Sequence, residues 1–181
     1  MRIKQEQEYM LPTGERIVLR SALSSDATAL RRHREIVTSE THFLTRSAEE
    51  RAREDLCGMI AQFLGEPREF LLCAVAGEEI VGDLMLAHVS DRIKTRHRAY
   101  LGISLRQAYC GMGLGTRMIE TAAEQAKKNG FLQIELGVYE DNTPAIALYK
   151  KMGFREYGRL PNAFRLDDDD YRAELLMVRT L

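Results

Sequence analysis

The spacing of apolar residues changes period several times along the 181-residue chain, and each change marks an element. Residues 16–20 (RIVLR) alternate apolar and polar, which is the period of a half-buried strand. Ser24, Ser25 and Asp26 then offer capping side chains ahead of a helical stretch, ATALRRHREIV. A second helix is predicted over 48–64, where Leu56, Ile60 and Leu64 recur every four residues. The run EFLLCAVAGEEIVGDLMLAHV holds two strand-like segments around Gly77-Glu78, a tight-hairpin pattern. Another strand is read over 98–105 (RAYLGISL). A helix follows over 114–129, with Leu114, Met118, Ala122 and Ala126 as its apolar stripe and Gly130 as its stop. Alternation returns over 132–139, where Ile134, Leu136 and Val138 oppose Gln133, Glu135 and Gly137. Thr143 and Pro144 open a last helix that runs to Met152 and stops at Gly153. Two short strands, near 155–160 and 174–178, close the pattern, with the acidic run 167–170 between them.

The order β-α-α-β-β-β-α-β-α-β-β describes a mixed α/β sheet rather than a regular doubly wound one. Residues 12–14 read as a turn, so 1–15 are expected to be an N-terminal extension or turn on one domain spanning 1–181. Apolar residues make up 45% of the chain, enough for a real core. Lysine plus arginine number 26 against 27 aspartate plus glutamate, so the basic excess of a general nucleic-acid binder is missing. The longest purely apolar run, 70–76, is far too short to span a bilayer, and the first ten residues carry no leader-like apolar core. Three widely spaced cysteines and four histidines without ligand spacing predict neither a disulfide framework nor a metal site. The expectation is a reduced, cytoplasmic protein without a metal, acting on neither nucleic acid nor membrane.

The most informative stretch is YCGMGLGT, 109–116, with glycines at Gly111, Gly113 and Gly115 between a strand and an amphipathic helix. The first N–H groups of a helix have no internal partner, and its dipole adds partial positive charge there. Glycines let a ligand approach the backbone closely. Together these features make an anion site, above all for phosphate; the alternative is a glycine-rich connector. A P-loop would need Gly-Lys-Ser/Thr where Gly115-Thr116-Arg117 stands. A dinucleotide fingerprint would need a third glycine at Thr116, and only one further strand-helix unit follows.

Residues 105–119, LRQAYCGMGLGTRMI, resemble the acetyl-CoA motif of the GNAT N-acetyltransferases. The family pattern Arg/Gln-x-x-Gly-x-Gly/Ala falls on Cys110-x-x-Gly113-x-Gly115, so a cysteine stands where arginine or glutamine is usual. Residues 138–154, VYEDNTPAIALYKKMGF, are similar to the family's V-x-x-x-N-x-x-A-x-x-L-Y-x-x-x-G-F almost throughout. The resemblance spans roughly 16–180 and implies a central, mostly antiparallel sheet of about seven strands flanked by about four helices. It implies acetyl-CoA as co-substrate and a primary amine as acceptor, whether an amino acid, a small amine or a protein N-terminus. The phosphates would lie on Cys110, Gly111, Met112, Gly113, Leu114, Gly115 and Thr116. Ile103, Ser104 and Leu105 would offer main-chain groups to the pantetheine arm, with a strand N–H stabilising the oxyanion. A homodimer is frequent in the family. The rival is a non-catalytic acyl-CoA-binding or regulatory domain.

Several residues carry two readings. By periodicity Tyr149 is a core aromatic on the stripe Ala145, Tyr149, Met152; by resemblance it protonates the departing thiolate. Ordinary pKa values of about 10 for tyrosine and about 8.5 for a thiol suit that transfer. Asn142, about 10 Å before Tyr149 along the helix, is either a cap or a contact to pantetheine. Cys110 is either a small residue or a thiol activated by the helix N-terminus. The acidic run 167–170 either attracts a cationic acceptor or is a solvated turn. Glu135, Asp83, His97 and Glu140 are candidates for the general base, each with a plain surface reading, and a water chain is the alternative.

Overall fold

Residues 70–76, FLLCAVA, are apolar at every position, a composition that suits a strand covered on both faces. In the computed structural model, which describes residues 6–181, they are the fully buried third strand of one eight-stranded sheet. The strands are β1 (Gln7–Met10), β2 (Arg16–Ser21), β3 (Phe70–Ala76), β4 (Glu79–His88), β5 (Arg98–Leu105), β6 (Gln133–Tyr139), β7 (Arg155–Asp167) and β8 (Asp170–Thr180). The helices are α1 (Ala27–Glu40), α2 (Ala48–Ala52), α3 (Leu56–Gly65), α4 (Leu114–Lys128) and α5 (Thr143–Lys151). The strand order is β1-β2-β3-β4-β5-β6-β8-β7, and every pair is antiparallel except β5 with β6.

Alternation along β3 divides the core between the two faces of the sheet. Phe70, Leu72 and Ala74 join Leu114, Met118, Ala122 and Ala126 of α4 and Tyr149 of α5 in the larger cluster. Leu71, Cys73 and Val75 face Leu30 of α1 and Leu56 and Ile60 of α3 in the smaller one. The predicted stripe of α4 is fully buried.

Three differences from the expected elements have local causes. The helix expected over 48–64 is broken in two, because Asp55 caps α3 by accepting from the Gly58 N–H while Ser47 and Glu50 form a capping box at α2. Of the stretch 1–15 expected to be an extension or turn, residues 1–5 lie outside the described residues, and Gln7–Met10 pairs with β2, which raises the strand count from about seven to eight. The last two strands are longer than read, 13 and 11 residues. Both faces of β7 are largely exposed, so its sequence has no apolar alternation to betray its length.

A buried polar network seats α1 on the sheet. Arg34 donates to Asp83 of β4 at 2.6 and 3.2 Å and to Glu54 at 2.7 Å. His33 Nε2 lies 2.9 Å from the Ser104 hydroxyl, which itself donates to Asp83. Burial pushes the Asp83 carboxyl up, but Arg34, His33 and Ser104 together outweigh it and hold the group well below the ordinary carboxylate range.

Candidate active site

Two parallel strands stay together only while both follow one ladder, and here they have different neighbours. β5 follows β4 antiparallel from Ala99 to Leu105, whereas β6 follows β8 from Gln133 to Tyr139. The ladder between β5 and β6 is therefore confined to Arg98↔Gln133, Ala99↔Ile134 and Tyr100↔Glu135. Beyond Tyr100 the two strands part, leaving one edge of residues 101–105 without a strand partner among the described residues. The Tyr100 side chain reaches across the opening, where its hydroxyl accepts from the Gly137 N–H at 3.3 Å.

At the end of β5 the chain makes one 3-10 turn, Gln107–Tyr109, and then enters the glycine stretch. Gly111 and Gly113 have φ of 75° and 84°, left-handed values that disfavour any side chain. A Cβ at either would meet nothing within 4 Å, so both borders are open space. Gly113 is the N-cap of α4 and supplies no capping side chain, so the first-turn N–H groups at Leu114, Gly115 and Thr116 have no cap. The helix begins where the strands part. Gly115 has a different reason to be glycine: a Cβ there would lie 2.9 Å from Leu148 Cδ2 and 3.3 Å from Leu105 Cδ1, so it lets α4 pack against α5 and β5.

Cys110 is exposed, four residues before α4 begins and outside its first turn. Its thiol is pushed up, by burial first and then by the Glu40 charge, so the helix N-terminus does not activate it. Met112 is half-buried and packs on the larger core cluster. Ile103 and Leu105 pack on the same cluster, while Ser104 turns to the opposite face and the Asp83–His33 network.

Tyr149 projects from α5 and is 8% exposed, edge-on to Phe154 at 5.8 Å between ring centres. Among the described residues its hydroxyl has no hydrogen-bond partner. Burial pushes its pKa up, and Tyr100 adds to the shift. Asn142 caps α5 by accepting from the Ala145 N–H at 3.3 Å, and its amide NH2 has no partner among the described residues.

The carboxylates considered as bases are engaged elsewhere. Asp83 is bound by Arg34. Glu135 accepts from Arg98 at 2.6 and 2.7 Å, and Glu140 accepts from Arg159 at 2.6 Å and from the Ala173 N–H at 2.9 Å. Hydrogen bonds from Arg98 and Arg159, in turn, hold both glutamates below their ordinary range. His97 precedes β5 at the far end from the opening. The acidic run 167–170 forms the turn of the β7–β8 hairpin, where Asp168 and Asp170 pair with Arg165 and Arg172.

The sequence singled out no site candidate on β8 beyond Asp170, and the structure sets Glu174 of that strand over Gly137. On β8 it alternates with Ala173, Leu175 and Met177, so it leaves the larger core and faces the same side as Tyr100 and Gly137. The signal was faint: a lone acid on a strand ordinarily means solvent. Gly137, directly along β6, was the clue that something fills the missing side chain's place. Nearby, Tyr139 stacks on Phe164 at 3.7 Å, with Phe43 and His42 edge-on at 5.8 and 6.0 Å. Among the described residues no group of three or more His, Cys, Asp or Glu is arranged to hold a metal, and no helix is long and apolar enough to cross a membrane.

Comparison with known proteins places this geometry. The family model described as "Acetyltransferase (GNAT) family" matches residues 32–154. N-alpha-acetyltransferase 30 of Schizosaccharomyces pombe is 25% identical over 133 residues, covering 66% of this chain and 88% of that one. A GNAT-family acetyltransferase from Streptococcus pneumoniae superposes with a TM-score of 0.86 at 23% identity, over 91% of this chain and 99% of that one. The yncA protein of Salmonella typhimurium, solved with acetyl-CoA, superposes at 0.77 with 16% identity, over 91% and 94%.

Proposed function

The chain belongs to the GNAT acetyltransferase family, and from that premise we propose that it moves the acetyl group of acetyl-CoA onto a primary amine by direct attack in a ternary complex. The observation that carries this is the opening between β5 and β6, with the uncapped N-terminus of α4 at one end and Tyr149 in the core cluster on which Ile103 and Leu105 of β5 pack. The backbone N–H groups over 111–116 receive the pyrophosphate. The lost Arg/Gln side chain at Cys110 removes one contact and leaves the backbone site intact. The open edge of Ile103, Ser104 and Leu105 takes the pantetheine amides as a neighbouring strand would, and one of its N–H groups steadies the oxyanion. Asn142 adds a contact through its amide NH2. Tyr149, kept protonated by its burial, gives its proton to the departing thiolate.

The acceptor amine enters from the other face, past Tyr139, Phe43 and Phe164. A relative named for N-alpha-acetylation supports amino acids, related small amines or protein N-termini as its class. The three free cysteines fit a reducing cytoplasm. The test is thiol release from acetyl-CoA across free amino acids, primary alkylamines and peptides with free amino termini. Wild type is expected to turn over one of these classes, and Tyr149→Phe to lose about 100-fold in kcat with acetyl-CoA affinity unchanged. Equal turnover by Tyr149→Phe would remove that residue from the mechanism.

A further inference from the structure

Attack requires a neutral amine, yet a primary amine near pH 7 arrives as an ammonium ion. Something must receive the cation and take its proton. Three of the acids at or near the sheet are already bound to arginines, and Glu174 is not. Among the described residues its carboxylate has no hydrogen bond or ion pair, although the residue is half-buried.

Its position is specific. A Cβ added to Gly137 would lie 1.8 Å from Glu174 Oε1, so the carboxylate occupies the space a β6 side chain would otherwise fill. Gly137 is the residue whose N–H is bridged by Tyr100 across the opening. Tyr139 is the register partner of Glu174, and the Glu174 charge also reaches Tyr100 and Tyr157. Three arginines of the surrounding strands are committed: Arg98 to Glu135, Arg159 to Glu140, Arg172 to Asp141 and Asp170. Arg179 of β8 alternates with Glu174 onto the opposite face, beside Gly153, and Arg155 of β7 is the register partner of Val178, four residues along the strand from Glu174. His42, from the segment after α1, faces Asp141 at 3.5 Å. An unpaired carboxylate with Tyr139 opposite it in register and Tyr100 bonded to the glycine it covers is the chemistry that holds an ammonium group.

Glu174 and Tyr149 also stand on opposite faces of the sheet: Tyr149 packs in the larger core cluster, while Glu174 alternates away from Leu175 and Met177 of that cluster. A base on the amine's side and an acid on the thiolate's side is what the reaction needs.

Resting on the proposed acetyl transfer, we infer that Glu174, with Tyr100 and Tyr139 beside it, is the seat of the acceptor's primary ammonium group and the general base that deprotonates it. Glu174 takes one proton from R–NH3+. The amine lone pair forms the C–N bond at the thioester carbon, and the C–S bonding pair leaves with sulfur. Tyr149 protonates the thiolate. The second proton on nitrogen, made acidic by C–N bond formation, returns to the tyrosine oxygen. Glu174 then releases its proton to water, so ammonium and thioester become amide, thiol and one proton. Burial raises the Glu174 carboxyl, which brings it nearer the pKa of the ammonium it must deprotonate.

The test compares wild type with Glu174→Gln, an isosteric change at a group that no internal bond depends on. Benzylammonium and benzyl alcohol are titrated into the acetyl-CoA-saturated protein at pH 7, observed by NMR. Wild type is expected to favour the ammonium at least about tenfold, and the variant to lose that preference. Turnover of the best amine of the panel is expected to fall about 100-fold or more at pH 7, and to recover as pH approaches the amine's own pKa. Acetyl-CoA affinity, measured by calorimetry, stays within about twofold of wild type. A wild-type protein indifferent to the ammonium charge, or a variant with unchanged turnover and pH profile, overturns the role of Glu174. Loss of acetyl-CoA binding by wild type itself would instead remove the acetyl-transfer reading.

Discussion

Replacing Arg34 with methionine strikes the network that holds α1 on the sheet. Methionine keeps most of the volume, so the loss is electrostatic. Arg34 and Asp83 are each 6% exposed, and the Glu54 side chain is 7% exposed. The change leaves Asp83 with only His33 and Ser104 as partners, and Glu54 with Arg46 and Arg51. Breaking a buried pair from one side costs about 3–5 kcal/mol; the remaining partners favour the lower end. For a chain of this size that is a fall of roughly 10 °C in melting temperature. Urea denaturation of both proteins measures the difference directly.

The pH dependence makes the argument sharper. In wild type the folded pKa of Asp83 lies below its unfolded value of about 3.9. Its stabilisation is therefore full above that value and drains away as pH falls through the folded one. In Arg34→Met the buried carboxyl loses its main counter-charge, its pKa rises, and acid relieves it by protonation. The stability gap between the two proteins should accordingly narrow between about pH 7 and pH 4. A gap below about 1 kcal/mol at pH 7, or one that does not change with pH, would refute the reasoning.

Other predictions concern the opening. Gly113→Ala forces a side chain into a left-handed cap at a cost of about 1–2 kcal/mol, and calorimetry should find acetyl-CoA affinity reduced about tenfold with the fold retained by circular dichroism. Gly115→Val should instead destabilise the protein, because the added atoms meet Leu148 and Leu105; thermal melting separates the two glycines. Since burial raises Tyr149, no loss of rate from its ionisation is expected below about pH 10 in the kcat profile. Cys110, its thiol raised rather than lowered, should react with iodoacetamide at pH 7 no faster than a small-molecule thiol, as read by mass spectrometry.

The legible parts of the sequence were those where burial imposes a period. α4 shows its stripe because one face is sealed against the sheet and the other is wet, and β3 reads as a strand because both faces are covered. The glycine stretch was readable because left-handed backbone and an uncapped helix start demand it. Where a local side chain outweighs the period, reading failed: Asp55 ends one helix and begins another inside a continuous stripe. Exposed β7 and the edge strand β1 carry no burial pattern at all. Site residues split in the same way. Those on the motif segments could be found along the chain, whereas Glu174 acquires its surroundings only when β8 inserts between β6 and β7 and lays it over Gly137.

The central claim is that the opening between β5 and β6, floored by the N-terminus of α4, holds acetyl-CoA. Calorimetric titration of acetyl-CoA, NAD and ATP into the purified protein tests it most directly. The account predicts saturable binding of acetyl-CoA at one site per chain, weakened in Gly113→Ala, with neither NAD nor ATP competing for it. A folded protein that binds no acetyl-CoA, or binds the three alike, would contradict it.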